Sequence, residues 1–131
     1  MRWRRDPHGA GETRWKTFSA GDGPAISVDA EQQADDSLLH YYTMLIGWRR
    51  EVAALRDGAI REYPQANPHI AAWQLDDTDS HVLVLHNLSG QPQDIHMDGS
   101  HFHVVLLHSK PGVTLQHGHL RMPAYATAIL Q

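Results

Sequence analysis

The side chains in this sequence that could do chemistry are its histidines and its clustered carboxylates. Eleven histidines occur in 131 residues. His101 and His103 alternate, as do His117 and His119, and alternation along a strand puts two imidazoles on one face. Four such donors could hold a zinc ion if they converged. The spacing fixes no third ligand for either pair. The chain has no cysteine, which excludes disulfides, thiolate ligation and thiolate catalysis. The reading that follows is histidine on solvent faces, with no metal and no cofactor. Asp76, Asp77 and Asp79 cluster in one turn, but no calcium-loop pattern surrounds them, so a solvated hairpin end is expected. Asn87-Leu88-Ser89 has the form of a glycosylation acceptor.

Composition narrows the partners. The chain is 41% hydrophobic and 20% charged, an ordinary soluble balance, and has room for one domain with a real core. A formal charge of -4 argues against a nucleic-acid binder, which would show a basic face. Arg2, Arg4 and Arg5 read as a solvated basic end. No apolar run of signal-peptide length follows them. The longest aliphatic runs, residues 82–85 and 104–107, are far too short to span a bilayer, so no membrane role is expected. The compartment stays open.

The elements that must position these groups come in two kinds. Residues 1 to about 34 are punctuated by glycine and proline yet carry Trp3, Trp15 and Phe18, which suggests a loop packed on something. A helix is expected from Asp35 or Asp36, either of which can cap it, to about Val52. Leu38, Leu39, Tyr42, Leu45, Ile46 and Arg49 lie on one broad face of it, and Tyr41, Met44 and Trp48 on another. A helix apolar nearly all round needs protein on more than one side. The strand-like sequence after it can cover only one side. The chain therefore reads as a piece of a larger protein, with Leu38, Tyr41, Tyr42, Met44, Leu45 and Trp48 facing a missing partner or a second copy of the chain.

After the Asp57-Gly58 turn, short strands are expected near 59–64, 69–76, 81–88, 91–97, 101–108, 112–116 and 123–130, separated by turn residues. That spacing predicts an antiparallel β-sandwich. Apolar residues on both faces of 101–108 predict a central strand there. Trp73, alternating with Ala71 and Leu75, is expected in the core, and Tyr125 is expected to be packed.

Four stretches before the strands carry a resemblance. They are Met1-Arg2-Trp3, the loop Gly9-Ala10-Gly11-Glu12-Thr13-Arg14-Trp15, the series from Ser27-Val28-Asp29-Ala30-Glu31-Gln32 through Asp36-Ser37-Leu38-Leu39-His40-Tyr41-Tyr42 to Leu45-Ile46-Gly47-Trp48-Arg49, and Ala54-Leu55-Arg56-Asp57-Gly58. Val82 to Gly90 and Met122 to Leu130 continue it within the strands. In this order they resemble the C-terminal end of glycoside hydrolase family 13, the α-amylase family, over essentially the whole chain. Trp48 departs from the family, which usually has an aliphatic residue or alanine there.

The resemblance implies a Greek-key β-sandwich of the domain C type over 58–131. It is preceded by the closing loop and last long helix of an α/β barrel over 1–57. It implies a parent enzyme that cleaves α-glucosidic bonds with retention, using two carboxyl groups on barrel strands. A barrel of that kind takes about 250 residues, and its catalytic carboxylates would precede this chain. No catalytic residue is therefore expected here. Arg4-Arg5-Asp6 superficially matches the family's Arg-x-Asp pattern, but no apolar strand precedes it and Pro7 follows it. The Asn87-Leu88-Ser89 stretch is better explained as the family's turn than as a glycan acceptor. The function implied is a non-catalytic domain bracing the catalytic barrel; such domains sometimes hold a secondary α-glucan site, for which Trp73 and Tyr125, beside Tyr63, are the strand aromatics in reach, and no substrate-binding residue is assigned. The alternative is a free-standing carbohydrate-binding module.

Overall fold

The computed structural model describes residues 2–6, 8–12, 15, 26–97 and 100–131. Met1, Thr13-Arg14 of the loop motif, Phe18, the glycines at 21 and 23, and the Asp98-Gly99 turn lie outside the described residues. The chain divides into two compact units, Met1–Arg49 and Arg50–Gln131.

In the first unit the start of the chain is held by the segment before the helices. Arg2 and Ser27 form a parallel bridge, and the Val28 and Asp29 amides donate to the carbonyls of Arg2 and Trp3 at 3.0 and 2.9 Å. Helix α1 spans Val28–Gln33, capped by the Ser27 hydroxyl, which accepts from the Ala30 amide. Helix α2 spans Leu38–Glu51. Its cap is Ser37, not the expected Asp35 or Asp36. The Ser37 hydroxyl donates to the Glu31 carbonyl at 2.6 Å and accepts from the His40 amide at 3.2 Å. The Glu31 carboxylate takes a second open amide, that of Leu39, at 3.1 Å. Ser37 is buried between the two helices' ends, while both aspartates are exposed, so the tertiary contact decides which residue caps.

The second unit opens with the end of α2 and with α3, Ala53–Asp57. Among the described residues eight strands follow: β1 Ala59–Glu62, β2 Ile70–Asp76, β3 His81–Asn87, β4 Gln93–His96, β5 Val105–His108, β6 Thr114–Gln116, β7 His119–Met122 and β8 Thr127–Leu130. They form two antiparallel sheets, ordered β1-β2-β3-β8-β5 and β4-β7-β6. The core lies between them. Ile70, Leu83, Leu85, Ala128 and Leu130 of one sheet meet Ile95, Leu120 and Met122 of the other, with Phe102 and Val113 closing the layer. Strands β3 and β8 are buried on both faces: Val82 and Val84 of β3 and Ile129 of β8 point away from this core yet are also buried. Helix α3 packs on β2 and β3, with Ala54 fully buried.

Three expectations for the strands change. Residues 101–108 do not form a central strand: β5 begins at Val105 and is the edge of its sheet. A bulge between Val105 and Leu107 breaks its alternation, and Val104, just before the strand, is exposed. A separate strand, β7, runs through the histidine-rich stretch between the expected strands 112–116 and 123–130, and it is the middle strand of its sheet. Trp73 pairs with Val84 and stands on the face of the sheet opposite the main core, half-buried and 4.8 Å from the His86 ring.

Candidate functional site

Two surfaces in this chain combine side chains in ways that suit recognition. In the first unit it is the flank of α2. No described residue of this helix is buried, although its sequence is rich in large apolar side chains. Leu38 is 65% exposed, Tyr42 57% and Ile46 53%, and Met44 and Leu39 are exposed as well. Tyr41, Leu45 and Trp48 are half-buried. Six residues of α2 were expected to face a partner: Leu38, Tyr41, Tyr42, Met44, Leu45 and Trp48. Three of these are exposed and three half-buried. Leu39 and Ile46 are exposed but outside that set. They extend its arc beyond Tyr42, and the all-round apolar pattern was the signal for them.

In the second unit there is a cleft of about 540 Å³ walled by Tyr63, Gln74, Asp79, His81, His101 and Phe102. The Tyr63 ring meets Phe102 edge to face at 6.3 Å. Gln74 and His81 are both anchored to Asp76: the Gln74 amide donates to its carboxylate, and His81 Nδ1 lies 2.9 Å from the same oxygen. Arg61 reaches the second oxygen at 3.1 Å. The Gln74 hydrogen bond, then that of His81, hold the Asp76 carboxyl below the usual carboxylate range. The cleft thus presents aromatic edge, amide, carboxylate and imidazole together.

Tyr125 is not packed, contrary to expectation. It is 64% exposed and adopts a φ of 55°, in the left-handed region that non-glycine residues rarely enter. Its amide donates to the Ser89 carbonyl, and Lys110 Nζ lies 5.7 Å from the ring centroid while donating to the Ala124 carbonyl. A fixed, exposed phenol ring of this kind can stack on an apolar ligand face.

The histidines expected at 101, 103, 117 and 119 do not converge. His101 lines the cleft, His103 and His117 line a different pocket, and His119 packs on His96. Among the described residues no group of three or more histidine and carboxylate side chains is placed to hold a metal ion. Asp6, of the Arg4-Arg5-Asp6 triplet, is exposed and accepts the His8 amide in a local turn. In the acidic turn, Asp77 donates its amide to the Ser80 carbonyl and Asp79 is exposed. Asn87 is 2% exposed, and its amide nitrogen donates to the carbonyls of Gln91 at 2.7 Å and Pro123 at 2.9 Å. Its oxygen accepts the amide and hydroxyl of Ser89. A nitrogen so engaged organises the turn and is closed to glycan attachment. Among the described residues no helix is long and apolar enough to cross a membrane.

Residues 70–129 match the domain family described as the α-amylase SusG C-terminal domain. The trehalose synthase/amylase TreS of Mycobacterium tuberculosis is 35% identical over 78 residues, which are 56% of this chain and 13% of that protein. α-Amylase 3 of Dictyoglomus thermophilum is 27% identical over 92 residues, 68% of this chain and 18% of that one. The crystal structure of an α-amylase from H. orenii matches 98% of this chain and 27% of its own, with a TM-score of 0.75 at 27% identity. The chain thus spans less than a fifth of the length of these curated relatives.

Proposed function

We propose that the chain is the non-catalytic end of a retaining α-glycosidase, bracing its catalytic barrel, on the premise that its sandwich is a C-terminal domain of the α-amylase family. In this reading residues 1–57 close the barrel and residues 58–131 form the bracing domain. The catalytic carboxylates that the mechanism needs are supplied by the barrel. The observation that carries the reading is the exposure of Leu38, Tyr42 and Ile46 along α2. A helix with this composition is stable when its apolar flank is covered. The small share of each relative that the chain spans supports a large partner in the same polypeptide.

The test uses the purified chain. Maltodextrin hydrolysis should not rise above a blank. Sedimentation should show self-association that Leu38→Ser with Tyr42→Ser reduces. A clean monomer at high concentration with α2 fully ordered by hydrogen exchange would count against the covered-flank reading, and hydrolysis by the pure chain would count against its non-catalytic role.

A second reading, direct contact with α-glucan, draws support from the exposure of Tyr125 and from the polar cleft beside Tyr63. Titration with a linear maltooligosaccharide checks it. Saturable binding that Tyr125→Ala or Gln74→Ala weakens would support it, and heat-free titrations to millimolar ligand would end it.

A further inference from the structure

The geometry points to a site for a late first-row divalent metal ion, with His96 and His119 on the outer face of the three-stranded sheet as donors. These residues are direct register partners in the antiparallel β4–β7 pair. The adjacent pair, Ile95 with Leu120, is buried in the core, so strand alternation sends both histidines outward, and both are exposed. Their ring centroids are 4.6 Å apart with planes inclined at 64°. Residues directly opposed in an antiparallel pair have Cβ atoms about 4.5–5.5 Å apart. Across that span two imidazoles can both reach one ion at about 2.0–2.1 Å.

The scaffold favours a chelate over two separate imidazoles. Strand β7 is paired on both sides, so the backbone under His119 is fixed before any ion arrives. Fixing the backbone under one donor and its register with the other lowers the ordering cost of binding. The next pair on the same face, Asp94 with Arg121, brings one charge of each sign. Imidazole donors suit copper, nickel and zinc rather than calcium or magnesium, and copper(II) heads the affinity order for such a site.

The test is titration of the untagged chain with copper(II) chloride alone, by calorimetry and electron paramagnetic resonance. The expected result is one tight site whose spectrum carries the splitting of two imidazole nitrogens. His96→Gln and His119→Gln should each weaken it by at least about tenfold, because a chelate fails when either donor is lost. His108→Gln, on β5 of the other sheet, should leave it unchanged. Binding that survives both β4 and β7 variants would overturn the proposal. So would single variants that halve the stoichiometry at unaltered affinity, which is the mark of independent imidazoles. Should a variant misfold, the wild-type spectrum still decides, since fewer than two coordinated nitrogens overturns the site.

Discussion

Gly58 and Ala54 approach so closely that a Cβ on Gly58 would lie 2.3 Å from the Ala54 carbonyl oxygen. The glycine has an ordinary φ of -62°, so its role is clearance, not conformational freedom. Its amide closes α3 by donating to that same carbonyl at 3.1 Å. Gly58→Ala is expected to cost about 1–3 kcal/mol, the range for forcing extra atoms into a packed site. Thermal unfolding of the variant should show the loss, and an unchanged midpoint would mean that the α3 end yields freely.

Asn87 is the second sensitive point. Asn87→Ala removes the donor to the Gln91 and Pro123 carbonyls and the acceptor for Ser89 inside a buried turn. The expected cost is about 2 kcal/mol or more, because unsatisfied buried groups carry most of the penalty. Asn87→Asp, nearly isosteric, should be no better at neutral pH, since it points a carboxylate at two carbonyl oxygens. Denaturant melts of the two variants side by side check both statements. Expression through a glycosylating secretory route should add no glycan mass at this residue.

His86 gives the sandwich a pH dependence. Burial lowers its pKa below the ordinary imidazole value. As pH falls, the unfolded chain takes up this proton before the folded one does, so stability is complete above the ordinary range. It declines as pH drops from about 6.5 toward the depressed folded value. Midpoints measured from pH 8 to pH 5 should fall, and His86→Gln should flatten that slope. An identical slope in the variant would count against His86 as its source.

The start of α2 rests on Ser37. Ser37→Ala should cost about 1 kcal/mol, as is usual for a lost N-cap hydroxyl. The effect should be visible as faster amide hydrogen exchange at Leu39 to Tyr41. Asp36→Ala, at the residue the sequence pattern favoured, should leave exchange there nearly unchanged.

These points show where sequence pattern carries and where it stops. Helix α2 and strands β2 and β3 were legible because long apolar periodicities and turn residues bound them. The family resemblance was legible because many short stretches fell in one order. The cap of α2 was not, since Ser37 wins over Asp35 and Asp36 only through the Glu31 contacts from another helix. The bulge at β5 was not, because an extra residue shifts alternation without any change in composition. Tyr125 looked like a packed strand aromatic, yet it sits in a left-handed turn before β8, and a backbone angle leaves no trace in hydropathy. Histidines spaced two apart drew attention to 101, 103, 117 and 119, while the pair that meets, His96 and His119, is joined only by strand register.

Strand β8 lies between β3 and β5, and β5 pairs with no other strand among the described residues. Of the eight strands among the described residues β8 is also the last to leave the ribosome. Until Thr127–Leu130 has emerged, β5 has no edge to join and the second edge of β3 stands open. Synthesis therefore passes through an interval in which two apolar strands wait for the same partner. In that interval, strand pairing with neighbouring nascent chains competes directly with completion of the sheet.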